Sequence, residues 1–329
     1  MRATRRQFLR GAGAAGLALL AGCGRLPWQA QPSQTPRIGY LGDRTIPVFE
    51  EAFRQGLREH GNVEGQNIVI EWRFAEGSPE GLADLAGELL ARRVKVIVAG
   101  TTLAALAAGR ATSSTPIVMA NGDPVGSGLA ASLARPGGNV TGVSNFGGQL
   151  AGKRLELLRD VIPGVARVAV LWTPANPLKV AEWTETQSAG GTLGMELQSL
   201  EVGRPEELEV AFAAATREEA DALVVFGDNL TGGHAPRIVE LAARSRLPTI
   251  YGVRMFMDAG GLMAYGANIP SLYRRAAYYV DRILKGAKPA ELPVEQPREF
   301  DFIINLKTAQ ALGLTIPQHV LLQATEVLQ

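Results

Sequence analysis

The chain has 329 residues, of which 46% are hydrophobic, and its 33 lysines and arginines almost balance its 32 aspartates and glutamates, giving a formal charge of +1. This length exceeds the usual size of one hydrophobic core and predicts two domains. Because the chain has no basic surplus, we expect no nucleic-acid partner.

Residues 1–22 have the composition of an export signal. Four arginines, at positions 2, 5, 6 and 10, precede an uncharged run at 11–22 that is too short to span a bilayer as a helix. Residues 4–9 resemble the twin-arginine export signal, in which an arginine pair is followed one residue later by an apolar pair. This pattern predicts export of an already folded chain.

Cys23 is the only cysteine of the chain and directly follows Leu-Ala-Gly, which is typical of a bacterial lipoprotein processing site. We therefore expect Cys23 to carry a diacylglycerol, which would hold the protein at a membrane. Three glutamines and three prolines between 27 and 36 predict that residues 23–36 form a flexible, lipidated linker. No apolar run after Cys23 approaches 18 residues, so lipid is the only membrane contact that we expect.

From residue 37 onward, short β-branched runs alternate with longer amphipathic runs, as in parallel strands joined by crossover helices. The sequence therefore predicts an α/β protein. The predicted strands and short apolar runs are 38–41, 67–74, 94–99, 117–120, 140–143, 168–172, 196–200, 222–226, 248–251 and 262–265. The predicted helices are 48–59, 82–92, one from the threonines at 101 and 102 through 111, 149–160, 178–189, 205–216, 235–244 and 272–284, and a last strand and helix occupy 300–312.

Ligands of parallel α/β sheets bind beyond the carboxyl ends of the strands, where helix N-termini offer free N–H groups. Polar residues at those ends are therefore the candidate ligand-binding residues. They are Asp43, Thr101, Thr102, Asp123, Thr173, Asn176, Asp228, Asn229 and Tyr251. Thr101 and Thr102, at a helix start, suit a carboxylate, and Asp228, in the opposite half, suits an amine. The same residue types also cap helices, and that alternative stays open for each of them.

Sequence motifs for catalysis, metals and cofactors are missing or out of context. The three histidines, at 60, 234 and 319, form no spaced metal motif, so we expect no metal. A glycine fingerprint at 11–16 lies inside the predicted signal, and the one at 126–131 lacks an acidic residue about 20 positions further on for a ribose. No phosphate loop, nucleophile elbow or His-Glu-x-x-His occurs, so we expect neither an enzyme nor a cofactor.

Several segments carry a resemblance to a known family. The most specific are 122–129, 135–142 and 152–158, with 174–177, 260–263, 304–309 and 314–317 in addition. Through them, residues 37–329 resemble the solute-binding lipoproteins of ABC importers, in the group associated with aromatic amino acids such as tryptophan and tyrosine. The resemblance implies the type I periplasmic-binding-protein fold, with two Rossmann-like lobes of parallel sheet joined by a three-crossing hinge.

We expect an N-terminal lobe of 37–145 plus 262–293 and a C-terminal lobe of 146–261 plus 294–329, with crossings near 142–148, 258–261 and 293–298. The resemblance implies a monomer that captures a small solute, an amino acid or related carboxylate, and delivers it to an ABC permease and its ATPase. It implies a place outside the cytoplasm, on the periplasmic or cell-surface side.

Two alternatives stay open. A sensory binding protein without transport uses the same fold, and an exported oxidoreductase could receive a nucleotide cofactor before secretion through a twin-arginine route. Within the solute-binding interpretation, this chain has Leu-Thr-Gly-Gly at 230–233, where many relatives have bulky aromatic residues. That difference argues against an aromatic ligand.

Overall fold

The computed structural model describes residues 35–76, 79–145 and 148–329. The predicted signal, Cys23 and the linker up to residue 34 lie outside the described residues. Residues 36–329 group into one unit, and none of the helices described there is both long and apolar enough to cross a membrane.

A five-stranded parallel sheet forms the first lobe, in the spatial order β2-β1-β3-β4-β5. Its strands are β1 (Arg37–Gly42), β2 (Val69–Phe74), β3 (Ile97–Ala99), β4 (Ile117–Met119) and β5 (Val140–Gly142). The helices that connect them are α1 (Pro47–Glu59), α2 (Leu82–Ala91) and α3 (Thr102–Ala111).

A seven-stranded sheet forms the second lobe, in the order β12-β11-β10-β9-β8-β6-β7. Its strands are β6 (Arg167–Trp172), β7 (Glu196–Glu201), β8 (Ala222–Val225), β9 (Thr249–Tyr251), β10 (Met263–Ala267), β11 (Phe300–Asn305) and β12 (Glu326–Leu328). The remaining helices are α4 (Ala151–Val161), α5 (Pro177–Leu193), α6 (Leu208–Arg217), α7 (Asn229–Gly233), α8 (Ala235–Arg244), α9 (Met255–Asp258), α10 (Ile269–Leu284), α11 (Leu306–Leu312) and α12 (Gln318–Leu321). Only β10 and β11 pair antiparallel among the described strands of this sheet.

Both sheets are covered by helices on their two faces, because successive side chains of a strand point to opposite sides. In β3, Val98 joins the apolar cluster on one face, whereas Ile97 and Ala99 join the cluster on the other. The second sheet is divided in the same way. The predicted α/β class with two lobes of parallel sheet is therefore confirmed.

The chain crosses between the lobes three times. Residues 143–145 leave the first lobe after β5, Asn268 leads back from β10 to α10, which packs on α1, and residues 293–299 return to β11. The first and third segments are bonded together, since the Ser144 N–H donates to the Glu295 carbonyl at 2.8 Å. The hinge is thus a bundle of neighbouring strand-like segments.

The position of the second crossing corrects the sequence analysis, which assigned 262–293 to the first lobe with a crossing at 258–261. The strand β10 pairs with β9 and β11, so it belongs to the second sheet, and the crossing occurs at Asn268. The apolar sequence of β10 predicts a strand, but only its pairing decides to which sheet it belongs.

Helix α5 also differs from the prediction, because it continues to Leu193 rather than ending at 189. The prediction ended the helix before the glycine pair at 190 and 191. In the structure a Cβ on Gly190 would come within 2.7 Å of the Leu197 side chain. The glycine therefore lets the helix continue while it packs closely against β7.

Candidate functional site

A cleft of about 260 Å³ lies between the lobes at the carboxyl ends of their strands. Arg44 and Asn121 enter it from the loops after β1 and β4. Asp228 and Val253 enter it from the loops after β8 and β9. A smaller inner chamber of about 40 Å³ shares Arg44 and Asn121 with the cleft and extends toward Asp43 in the first lobe. The two spaces therefore form one site.

Four buried polar atoms of this site have no hydrogen-bond partner among the described residues. They are Asp43 Oδ1, Arg44 Nε, Asn121 Oδ1 and Asp301 Oδ2. An unpaired buried polar group costs about 1 to 3 kcal/mol, and native proteins keep few of them. Their concentration in one cleft indicates a surface that can bind a polar solute.

Asp43 is the acidic group of the inner chamber. Its side chain is buried, and its Oδ2 accepts a hydrogen bond from the Thr101 hydroxyl at 2.9 Å. Burial raises the pKa of Asp43, the Thr101 hydrogen bond and the nearby Arg44 lower it, and the charge of Asp228 across the cleft raises it. A cation between the lobes would favour the ionised form of this carboxyl group.

Asp228 enters the cleft from the N-terminus of α7. Its Oδ1 accepts the Thr231 N–H at 2.9 Å, and the Thr231 hydroxyl accepts the Asp228 N–H at 3.0 Å, which completes a capping box. Asn229, the next residue, lines both the cleft and the inner chamber. The capping explanation left open by the sequence therefore holds for Asp228, and its carboxylate also lines the site.

The sequence-predicted residues divide into two groups. The structure brings Asp43, Thr101, Asp228 and Asn229 to the site. It does not place the other five among the residues that line the cleft or the inner chamber. These are Thr102, Asp123, Thr173, Asn176 and Tyr251.

Each residue of the second group has another environment. The Thr102 and Thr173 side chains are buried, Asn176 caps α5, and Tyr251 stacks on Phe256 in the core with ring centroids 4.5 Å apart. Asp123 Oδ1 accepts the N–H groups of two residues of its own turn. Every strand end bears polar residues, but only some of these ends face the opposite lobe.

Residues that sequence reasoning missed complete the site. Asn121 lies two residues after the end of β4, so the search for polar residues at the carboxyl ends of strands could have identified it. Asp301 lies inside the antiparallel strand β11, where its Oδ1 accepts a hydrogen bond from Asn268 Nδ2 at 2.9 Å. The search for polar residues at the carboxyl ends of parallel strands cannot find Asp301, because Asp301 lies within an antiparallel strand.

An aromatic pair supports the apolar wall of the cleft. The Phe49 ring lines the cleft and stacks on Tyr273, with centroids 4.9 Å apart and an interplanar angle of 13°. The buried Tyr273 hydroxyl donates to the Gly100 carbonyl at 2.6 Å. Phe49 is therefore held in a fixed orientation, which lowers the entropy cost of packing a ligand against it.

Within residues 35–76, 79–145 and 148–329, no group of three or more His, Cys, Asp and Glu side chains is arranged to hold a metal ion. The charge of Arg44 acts on Asp43, and the charges of Asp258 and Asp301 act on Arg254.

Comparison with known proteins connects this cleft to a family. Residues 48–328 match the family described as ABC transporter substrate binding protein. The chain is 24% identical over 315 residues to a tyrosine-binding protein of Clostridioides difficile (strain R20291), and the match covers 92% of this chain and 90% of that protein.

Two solved structures are similar to this chain over their own full length. A conserved domain protein of Vibrio cholerae is 27% identical with a TM-score of 0.84, and the match covers 89% of this chain and 100% of that chain. A Streptococcus ABC domain in complex with L-Trp is 27% identical with a TM-score of 0.83 and the same two coverages.

Proposed function

This chain belongs to the ABC transporter substrate-binding protein family, with the type I periplasmic-binding-protein fold, and we propose that the solute it captures is an amino acid or a related carboxylate. As a member of this family it is a solute-binding receptor, and the family implies that the solute is delivered to a transporter. The finer identity of the solute is argued from the cleft.

The charges of the cleft support a solute with an ammonium group. Three aspartates line the interior of the cleft and its inner chamber, namely Asp43, Asp228 and Asp301, whereas Asp258 lies exposed at the rim of the cleft. The two arginines that line them are Arg44 and Arg254, and Arg254 is paired with Glu326 at 2.5 Å. The acidic excess attracts a cationic group, and the buried carboxylates of Asp43 and Asp301 bind it with little competition from water.

The remaining walls support an apolar side chain of modest size. Phe49, Val253, Met255 and Ile269 contribute apolar surface to the cleft. A volume of about 260 Å³ lies near the lower end of ligand pockets, which span roughly 300 to 1,000 Å³. A single amino acid is of this size class, and the relatives named for tyrosine and crystallised with L-Trp agree with it.

Thermal-shift screening against the twenty amino acids and small organic acids tests the proposal. A ligand at about 100 times its Kd adds about 2.7 kcal/mol of stability, so a true solute should raise the Tm measurably. Calorimetry then measures the affinity of the identified solute for the Asp228→Asn variant. This substitution removes the charge but retains an acceptor for the Thr231 N–H. We expect the affinity to fall roughly 30-fold or more, since the partly buried Asp228 would be enclosed with the solute's charge, and truncating one partner of an enclosed charge pair costs about 2 to 5 kcal/mol.

Asp258→Asn is the matched control, because it makes the same chemical change at an exposed position of the same cleft. It should bind within about threefold of the parent, as expected for a rim charge. The proposed solute class is wrong if no amino acid or organic acid stabilises the protein. The proposed role of Asp228 is wrong if both variants bind the identified solute equally well.

We propose the remaining context from the sequence patterns. The twin-arginine-like segment and Leu-Ala-Gly-Cys at 20–23 support export and a lipid anchor on Cys23. The receptor would then act as a monomer on the periplasmic or cell-surface side, with an ABC permease and its ATPase as partners. Substrate-binding proteins of ABC importers work outside the cytoplasm, which agrees with this placement.

A further inference from the structure

Arg44 reaches from the first lobe to the second. It lies two residues after the end of β1 and lines both the cleft and the inner chamber. A Cβ built on Gly233, at the end of α7, would overlap the guanidinium carbon and both terminal nitrogens of Arg44. The guanidinium therefore lies directly against the backbone of Gly233, in space that any larger residue would occupy.

The guanidinium of Arg44 acts electrostatically on the neighbouring Asp43, but it keeps a buried donor that is available for a solute. Its Nε is buried and has no hydrogen-bond partner among the described residues. Arg254, the other arginine of the cleft, is held by two hydrogen bonds to the Glu326 carboxylate, at 2.5 and 3.1 Å. Leaving a buried donor of Arg44 unpaired is costly, which indicates that its partner is a solute.

The threonine pair suggested by the sequence is less suited to an anion. The Thr101 hydroxyl donates to Asp43 and accepts the Ala104 N–H at 3.2 Å. A solute carboxylate near Thr101 would also approach the Asp43 carboxylate, whose charge repels it. A guanidinium, in contrast, presents two parallel N–H groups that match the two oxygens of a carboxylate.

We propose that Arg44 binds the carboxylate of the solute and that Gly233 provides the space for it, an inference that rests on the proposed function. Arg44 belongs to the first lobe and its guanidinium contacts Gly233 of the second lobe. The complete carboxylate-binding site therefore exists only when the two lobes are in contact. The carboxylate at Arg44 and the ammonium at the aspartates then fix the solute at both ends, with its side chain against the apolar wall. The residue pair Arg44 and Gly233 thus selects α-amino acids over simple amines.

Binding of matched probes tests this role of Arg44. Calorimetry uses L-tyrosine, L-tryptophan and L-leucine, each paired with the amine that lacks its carboxylate, on the parent and on Arg44→Gln. The variant should bind an amino acid that the parent accepts roughly 30-fold or more weakly, whereas its affinity for the corresponding amine should change less than about threefold. Arg44→Lys, which keeps the charge without the planar fork, should recover only part of the loss.

Gly233→Ala tests the space for the guanidinium. The backbone of Gly233 is not in the left-handed region, so alanine is tolerated there, but its methyl group would displace Arg44. We expect the affinity for the amino acid to fall by about tenfold or more. Gly191→Ala is the control, because it makes the same change in helix α5 with no atom within 4 Å of the added Cβ, and it should bind like the parent.

The outcomes separate the two proposals. A parent that is stabilised by none of the twenty amino acids and by no organic acid in the thermal-shift screen overturns the proposed solute class and this inference with it. A parent that binds an amino acid while Arg44→Gln binds it within threefold overturns only the role of Arg44. If Arg44→Gln lost the same affinity for the amino acid and for its amine, Arg44 would only line the cleft. That result would likewise overturn carboxylate recognition by Arg44.

Discussion

At the scale of single residues, the buried Asp43 of the cleft lowers the stability of the unliganded protein. Burial and the charge of Asp228 raise the pKa of Asp43 by more than Thr101 and Arg44 lower it. The Asp43 side chain therefore contributes fully to the stability of the fold below the pKa of about 3.9 of an unfolded aspartate. This contribution is lost as the pH rises through the pKa of Asp43 in the folded protein. At neutral pH the ionised group therefore destabilises the unliganded protein. We expect Asp43→Asn to stabilise it and to weaken solute binding.

Thermal unfolding measures the stabilisation by Asp43→Asn. The Tm at pH 7 should rise by about 2 °C or more, since 1 kcal/mol corresponds to about 2 to 4 °C, and the gain should shrink as the pH falls toward 4. Asp221→Asn provides the opposite control. The N–H groups of Arg167 and Ala166 lower the pKa of Asp221, so this variant should destabilise the protein at pH 7. A Tm for Asp43→Asn that is lower than the parent's at pH 7 would contradict the argument.

At the scale of secondary-structure elements, α4 and α5 are joined by a buried ionic cluster. Glu182 on α5 accepts from Arg154 Nη1 at 2.5 Å and from Lys179 Nζ at 2.6 Å, and all three side chains are less than 5% exposed. Burial raises the pKa of Glu182, but Lys179 and Arg154 outweigh it, so the pKa is lowered overall. Its contribution to stability is therefore present above the unfolded pKa and is lost as the pH falls through the folded pKa.

Removing the charge of Glu182 leaves two buried cations without a counter-charge. We expect Glu182→Gln to reduce the free energy of unfolding by about 3 to 5 kcal/mol, as measured by urea denaturation at pH 7. Glu240→Gln is the control, because its partner Arg237 lies on the surface, where an ion pair is worth less than about 1 kcal/mol. Equal midpoints for the two variants would mean that the cluster is not desolvated.

At the scale of the whole molecule, the proposed lipid on Cys23 would determine where the receptor acts. Because no other cysteine is available for a thioether, Cys23→Ala should leave the fold of residues 36–329 unchanged but release it from the membrane fraction. Fractionation of cells, followed by washing with salt, measures this. Ser188→Ala is a matched small substitution, at an exposed position of α5, and should stay membrane-bound. Retention of the Cys23 variant after the salt wash would contradict the lipid anchor.

The sequence by itself determined the order of the strands and longer helices up to residue 312, but not the short helices α7, α9 and α12 or the last strand β12. Local hydrophobic periodicity predicts that an element forms and of which type it is, because a buried face must repeat with the period of the helix or the strand. It also located Asp43, Thr101, Asp228 and Asn229 at strand ends, and the structure brings these four together. The family resemblance added the pairing of two lobes around a cleft, which the comparisons support.

Only the tertiary structure decided which elements and side chains meet. The pairing of β10 in the second sheet moved the second crossing to Asn268, and the antiparallel strand β11 brought Asp301 into the cleft. The contact between Arg44 and Gly233 joins residues 189 positions apart, from opposite lobes. Such long-range contacts leave no periodic signal in the chain, because they depend on how the two sheets are placed and not on the local pattern of either segment.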